Sequence, residues 1–155
     1  MLNLVLYQPD IPQNLGAMLR LSACLQARVH IVEPCGFPLD DQKLRRAGMD
    51  YITHAQYQRH LNWDAFLAHR HTHPGRLLLL ETDGATRYTD IAFARSDYIV
   101  LGRESAGTPR ALYAQMDATI TIPMQEGVRS LNVAMSAGML VAEACRQLAW
   151  RFSPT

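Results

Sequence analysis

Three short stretches of the chain combine residue types and spacings able to do chemistry. The first is Asn14-Leu15-Gly16-Ala17-Met18-Leu19-Arg20. Asn14 starts the expected helix, and Arg20 follows six residues on, nearly two turns along it. Gly16 leaves room beside them for another backbone or a nucleotide. The second is Leu101-Gly102-Arg103-Glu104-Ser105-Ala106-Gly107-Thr108-Pro109. A buried strand opens there into a turn with two glycines, and Pro109 suits the first turn of a helix. Glu104 is either a cap or a working carboxylate. The third runs from Ile122-Pro123-Met124 to Arg129-Ser130-Leu131-Asn132. Ser130 is a good N-cap for the last helix, and the exposed amides of such a helix start can hold a small polar ligand that Asn132 also reaches. Each stretch taken alone also fits a plain structural role: a capped helix with a solvent-facing arginine, a tight connection, a capped final helix.

Other chemistries lack their residues. Thr108 and Pro109 stand where a Walker A loop needs Lys and Ser/Thr, and no Gly-x-Gly-x-x-Gly follows a strand. No Gly-x-Ser-x-Gly is present, nor aromatics in RNA-binding motif order. His69-Arg70-His71-Thr72-His73 precedes Pro74-Gly75 and reads as an exposed polar turn rather than a metal site. His30, His54 and His60 show no metal-ligand spacing, and no metal is expected.

The elements that must position these residues follow from hydrophobic pattern. Leu2–Tyr7 reads as a buried strand, followed by a turn with Pro9 and Pro12. A helix is expected from about Asn14, as its N-cap, to Gln26. Arg28–Glu33 is a second strand and Asp40–Arg46 a short helix stopped by Gly48. Tyr51-Ile52-Thr53 reads as a short strand, and Trp63–His69 as a helix capped by Asn62. Arg76–Glu81, Asp97–Leu101 and Thr119–Ile122 are further strands. A helix rich in small residues runs from Leu131 to about Trp150. Strands alternating with helices, several apolar throughout, predict an α/β fold: a mostly parallel sheet with helices on both faces. Ligands in such sheets bind beyond the carboxyl ends of the strands, where the three stretches fall.

The 155 residues form one expected domain, 1–155, and 48% hydrophobic content suffices for a core. No signal peptide or membrane span is legible. Cys24, Cys35 and Cys145 are odd in number and widely spaced, which suits a reducing, cytoplasmic setting. A net charge of +1 gives no global field for nucleic acid. Lys43 is the single lysine among fifteen basic residues. Codon bias of the genome accounts for this more simply than phosphate recognition by arginine forks does.

Together and in order, Asn14-x-Gly16-x-x-x-Arg20, Leu101-Gly102-x-Glu104-x-x-Gly107-x-Pro109, and Ile122-Pro123-Met124 with Arg129-Ser130-Leu131-Asn132 resemble motifs one to three of the SPOUT RNA methyltransferases. Val5 to Asn14, Glu33-Pro34-x-Gly36-Phe37 and Leu44 to Tyr51 look like the small members that act on the tRNA wobble nucleotide. This resemblance spans almost the whole chain. It implies a C-terminal deep trefoil knot, against the usual rule that chains are unknotted. It implies S-adenosylmethionine held by Leu80, Gly102, Ile122, Ser130 and Leu131. A homodimer and a tRNA anticodon loop are the implied partners, with no membrane.

The implied reaction is 2′-O-methylation of the ribose of C34 or a modified U34. A ribose hydroxyl is a weak nucleophile, so proximity and orientation supply much of the rate. Arg20 is the implied catalytic residue. A guanidinium ordinarily titrates above ~12 and makes a poor base, so Arg20 would hold the nucleotide phosphate and lower the hydroxyl's effective pKa. Asn14, Glu104, Ser130 and Asn132 would orient it and the substrate. Arg20, Arg45, Arg46 and Arg129 are the candidate RNA contacts. The alternatives are another tRNA or rRNA ribose, or a non-catalytic knotted RNA-binding protein. The second predicts loss of Arg20 or of the Ser130–Asn132 pair, and all are present.

Overall fold

Along the first strand, Leu4 and Leu6 join one apolar cluster while Val5 and Tyr7 join another, so this strand is covered on both faces. The computed structural model describes residues 1–47, 51 and 53–150. Its elements are β1 (Asn3–Tyr7), α1 (Pro12–Leu25), β2 (Arg28–Val32), α2 (Asp41–Ala47), β3 (Gln56–His60), α3 (Trp63–Thr72), β4 (Leu77–Leu80), β5 (Thr86–Arg87), β6 (Tyr98–Leu101), β7 (Ala118–Thr121) and α4 (Val133–Gln147). A 3-10 turn spans Arg110–Gln115.

The seven strands form one sheet in the order β3-β2-β1-β6-β4-β7-β5, and every pairing is parallel. The expected α/β class and parallel sheet are therefore observed. Leu15, Met18 and Leu19 of α1, Leu44 of α2, and Ala137, Leu140, Val141 and Ala144 of α4 pack on one face. Trp63 and Phe66 of α3, with Leu112 and Tyr113 of the 3-10 turn, cover the other. β1 leads into α1, and the chain leaves β6 and β7 at the same end of the sheet, because parallel strands share one carboxyl edge.

Several boundaries differ from the sequence reading. α1 begins at Pro12, with Ile11 at the N-cap, because proline's fixed φ and missing N–H suit the first helical position. Asn14 is thus inside the first turn and not a cap, which frees its side chain for other partners. Gln26 ends α1 in the left-handed region, at φ 52°. α4 is capped by Asn132, whose Oδ1 accepts from the amides of Ala134 (2.9 Å) and Met135 (3.1 Å). Ser130 is not the cap, and the helix starts at Val133 and ends at Gln147.

The amides of His54 and Ala55 donate to the Tyr51 carbonyl, the bonding of a turn, where a strand was expected over Tyr51-Ile52-Thr53. The strand is Gln56–His60, a mostly exposed sheet edge whose polar residues hid it. Gly48, the expected helix stop, and Ile52 lie outside the described residues.

The histidine run is helical as well. Asn62 caps α3 as expected, accepting from the Ala65 amide at 2.8 Å, but the helix continues through Thr72. That carries His69 against His30 and His60, with ring centroids 5.1 and 5.3 Å away. His30 Nδ1 meets His60 Nε2 at 2.9 Å, in full burial. Burial, with the neighbouring histidines secondary, lowers the pKa of His30 to about 3 and that of His60 to about 4. Among the described residues no cluster of His, Cys, Asp or Glu could hold a metal ion.

Candidate active site

Three loops at the carboxyl edge of the sheet are tied by one chain of side-chain hydrogen bonds. Asn14, in the first turn of α1 and 7% exposed, donates from Nδ2 to Glu104 Oε1 (3.2 Å). Its Oδ1 accepts from Asn132 Nδ2 (2.9 Å). The other oxygen of Glu104 accepts from the Asp10 amide at 2.9 Å. In return the Glu104 amide donates to Asp10 Oδ1 at 3.1 Å, and the Ser105 hydroxyl donates to Asp10 Oδ2. The loops after β1 and β6 and the start of α4 are thereby held in fixed relation. Asp10 also takes the turn after β2: a Cβ on Gly36 would stand 2.6 Å from the Asp10 Cβ, so only glycine fits there.

Electrostatics follow from this packing. Burial raises the Glu104 carboxyl above its ordinary range, and the adjacent Asp10 carboxyl adds to the shift. Asp10 is lowered, first by its contact with the Glu104 carboxyl and then by the Ser105 hydroxyl.

Together with the end of β4, the three loops line an open cavity of about 420 Å³, within the usual range for small-molecule sites. Leu80, Leu101, Ile122 and Leu131 give it apolar walls, and Glu81 and Glu104 supply carboxylates. The residues present fit S-adenosylmethionine, which needs an apolar slot for a flat base and negative charge near a sulfonium. The β6 turn is shaped by close approach: a Cβ on Gly102 would lie 2.6 Å from Thr108 Oγ1 and 2.8 Å from the Gly107 carbonyl carbon. Gly107 itself has φ +64°.

All five residues expected to bind the cofactor, Leu80, Gly102, Ile122, Ser130 and Leu131, line this one cavity, as do Asn14, Glu104 and Asn132. Arg20 does not. It is exposed on α1, its guanidinium carbon 4.6 Å from the Tyr51 ring centre and its Nη2 3.4 Å from the Tyr51 hydroxyl. Gly16 faces open space. Arg45 and Arg46 fall on α2, and Arg129 is exposed in the loop before α4. The sequence reading missed Asp10 and Glu81. Asp10 was legible only as part of a proline-flanked turn, since its carboxyl partner lies 94 residues away.

A family model described as the SpoU rRNA Methylase family matches residues 1–142. The chain belongs to this family. Among its curated relatives, a tRNA (cytidine(34)-2'-O)-methyltransferase of Beijerinckia indica subsp. indica is 50% identical over 145 residues, covering 94% of this chain and 91% of that one. One of the same description from Burkholderia pseudomallei is 44% identical, over 95% of this chain and 96% of its own. A solved structure described as giving insights into the 2-OH methylation of C/U34 on tRNA superposes with TM-score 0.89 at 40% identity, covering 97% of this chain and 98% of that one. The SpoU methyltransferase AviRb of Streptomyces viridochromogenes, solved with AdoMet, superposes with TM-score 0.84 at 25% identity over 96% of this chain and 61% of its own. The SpoU family model spans all three loops of the cavity, which draws only on residues 11 to 136.

Proposed function

We propose that this SpoU-family chain methylates the ribose 2′-hydroxyl of the wobble nucleotide of tRNA, C34 or a modified U34, with S-adenosylmethionine as donor. The observation that carries this reading is the cavity at the β4, β6 and β7 ends, closed by the Glu104–Asn14–Asn132 chain of hydrogen bonds. Relatives named as tRNA (cytidine(34)-2'-O)-methyltransferases, 50% and 44% identical over 94% and 95% of this chain, support the substrate.

Bound here, S-adenosylmethionine would supply an electrophilic sulfonium methyl group for the ribose oxygen, with the C–S electron pair left on sulfur and the hydroxyl proton passed to solvent. The protein's part is positioning. Leu80, Gly102, Ile122, Ser130 and Leu131 hold the donor; Asn14, Glu104 and Asn132 fix the loops that present it. Arg20 holds the phosphate beside the target ribose, with Arg45, Arg46 and Arg129 as further contacts to the anticodon loop. No residue in this scheme calls for a metal.

Further parts of the reading are a C-terminal trefoil knot around the cavity, one domain over 1–155, a cytoplasmic setting, and a homodimer whose partner brings RNA-binding groups to a cavity that Arg20 of the same chain does not line. No helix among the described residues is long and apolar enough to cross a membrane.

The test is transfer of labelled methyl from S-adenosylmethionine to tRNA lacking native modifications, with digestion to nucleosides and an Arg20→Ala control. Label in 2′-O-methylcytidine or a 2′-O-methyluridine derivative at position 34, lost in the control, is the expected result. Label only in another tRNA or an rRNA ribose overturns the substrate and leaves the reaction class. Cofactor binding without transfer to any RNA overturns the reaction.

A further inference from the structure

We propose that Arg103 is the oxyanion-binding residue of the cavity, a role that rests on the methyltransferase reading and adds a specificity determinant to it. Among the described residues Arg103 is the only Lys or Arg lining the cavity, whose other charged residues are Glu81 and Glu104. Among the described residues its guanidinium meets no carboxylate within salt-bridge distance, although four other arginines do. Its Nε is buried and has no hydrogen-bond partner. A buried N–H of a charged group left without an acceptor is unfavourable, and it marks a guanidinium that no protein group neutralises, free to take a carboxylate or phosphate on its terminal nitrogens.

The side chain is also held ready. Its guanidinium carbon stands 5.6 Å from the centre of the buried Tyr7 ring, within cation–π range. The backbone on either side is pinned, since the Arg103 amide donates to the Gly107 carbonyl (3.1 Å) and the Gly107 amide donates back (2.8 Å). The cavity's other polar forks are already used. Asn14 is engaged through both Nδ2 and Oδ1, and so is Asn132. Arg103 is therefore the cationic side chain there with donors to spare. Two oxyanions can reach it: the carboxylate at the amino-acid end of the cofactor, or a phosphate of the RNA beside the target ribose.

The experiment titrates Arg103→Met and Arg103→Lys calorimetrically with S-adenosylhomocysteine, which carries the carboxylate, and with 5′-methylthioadenosine, which lacks it. Binding to unmodified tRNA is measured against salt in parallel. Arg103→Gln is a second neutral variant should Arg103→Met fail to give a wild-type circular dichroism spectrum. At least tenfold weaker S-adenosylhomocysteine binding in the neutral variant, with 5′-methylthioadenosine within twofold and partial recovery in Arg103→Lys, supports the inference with the carboxylate as ligand. Unchanged binding of both nucleosides, with at least tenfold weaker tRNA binding and a salt slope smaller by ~0.7, supports it with phosphate as ligand. Equal loss for both nucleosides, or no change in nucleosides or tRNA, overturns it. A wild-type protein that binds neither nucleoside overturns the methyltransferase reading and this inference with it, whereas loss of the Arg103 role alone leaves wild-type binding intact.

Discussion

Asn132 does two jobs, and replacing it separates them. Its Oδ1 caps α4 through the amides of Ala134 and Met135, and its Nδ2 donates to the buried Oδ1 of Asn14. Asn132→Ala removes the cap, worth about 1 kcal/mol. It also leaves the Asn14 acceptor without a partner at 7% exposure, which costs a further 1–3 kcal/mol or so. The expected loss is about 2–4 kcal/mol. With a urea slope of about 2 kcal/mol/M, the denaturation midpoint falls by roughly 1–2 M. Asn132→Asp keeps the capping oxygen and a favourable charge at the helix start, but sets an oxygen against Asn14 Oδ1, so it falls between wild type and Asn132→Ala. Ser130→Ala, at an exposed residue, moves stability by less than about 0.5 kcal/mol. Urea unfolding at one fixed protein concentration checks all three. Equal midpoints for Asn132→Ala and Ser130→Ala would refute the assigned cap. A wild-type midpoint for Asn132→Asp would refute the Asn14 bond.

Three other perturbations have expected outcomes. His30 and His60 are neutral when folded, with pKa values of about 3 and about 4, so the unfolded chain, near 6.5, takes up more protons as pH falls. Their stabilising share is present above about pH 6.5 and declines towards pH 4, by at most about 1.4 kcal/mol per pH unit for each histidine; His60→Gln should make that decline shallower in urea unfolding at stepped pH. Gly102→Ala forces a Cβ against Thr108 and the Gly107 backbone; calorimetry should show S-adenosylhomocysteine binding at least about tenfold weaker. Arg20→Ala should lower methyl transfer at least about a hundredfold and leave S-adenosylhomocysteine affinity within about twofold, because Arg20 does not line the cavity; a parallel fall in affinity would contradict that separation.

The strands read most clearly where burial was complete on both faces. Leu77 to Leu80 and Tyr98 to Leu101 are apolar at each position, which only a covered parallel strand tolerates. Gln56–His60 escaped because it is the sheet edge, where one side of the strand needs no apolar partner. Thr86–Arg87 is too short to show a period. The histidines of α3 were misread for a related reason. His69 and His30 are 39 positions apart in a chain whose pattern shows only local neighbours, and it is the length of α3 that brings them together.

The site was legible as residue types and places but not as connections. Asn14, Glu104 and Asn132 each lie where a strand hands over to a helix or turn, so a reading of strand ends finds all three. Local rules then assigned the wrong caps: Asn14 to α1 and Ser130 to α4. Pro12 took the start of α1, and Asn132 took the start of α4. Those substitutions free the Asn14 side chain to bridge Glu104 and Asn132 across three loops. A cap in the sequence sense is a local hydrogen bond; here the α4 cap is also the anchor of a bond 118 residues long in sequence. That dual use explains why the cavity and the start of α4 should lose their order together when Asn132 is replaced.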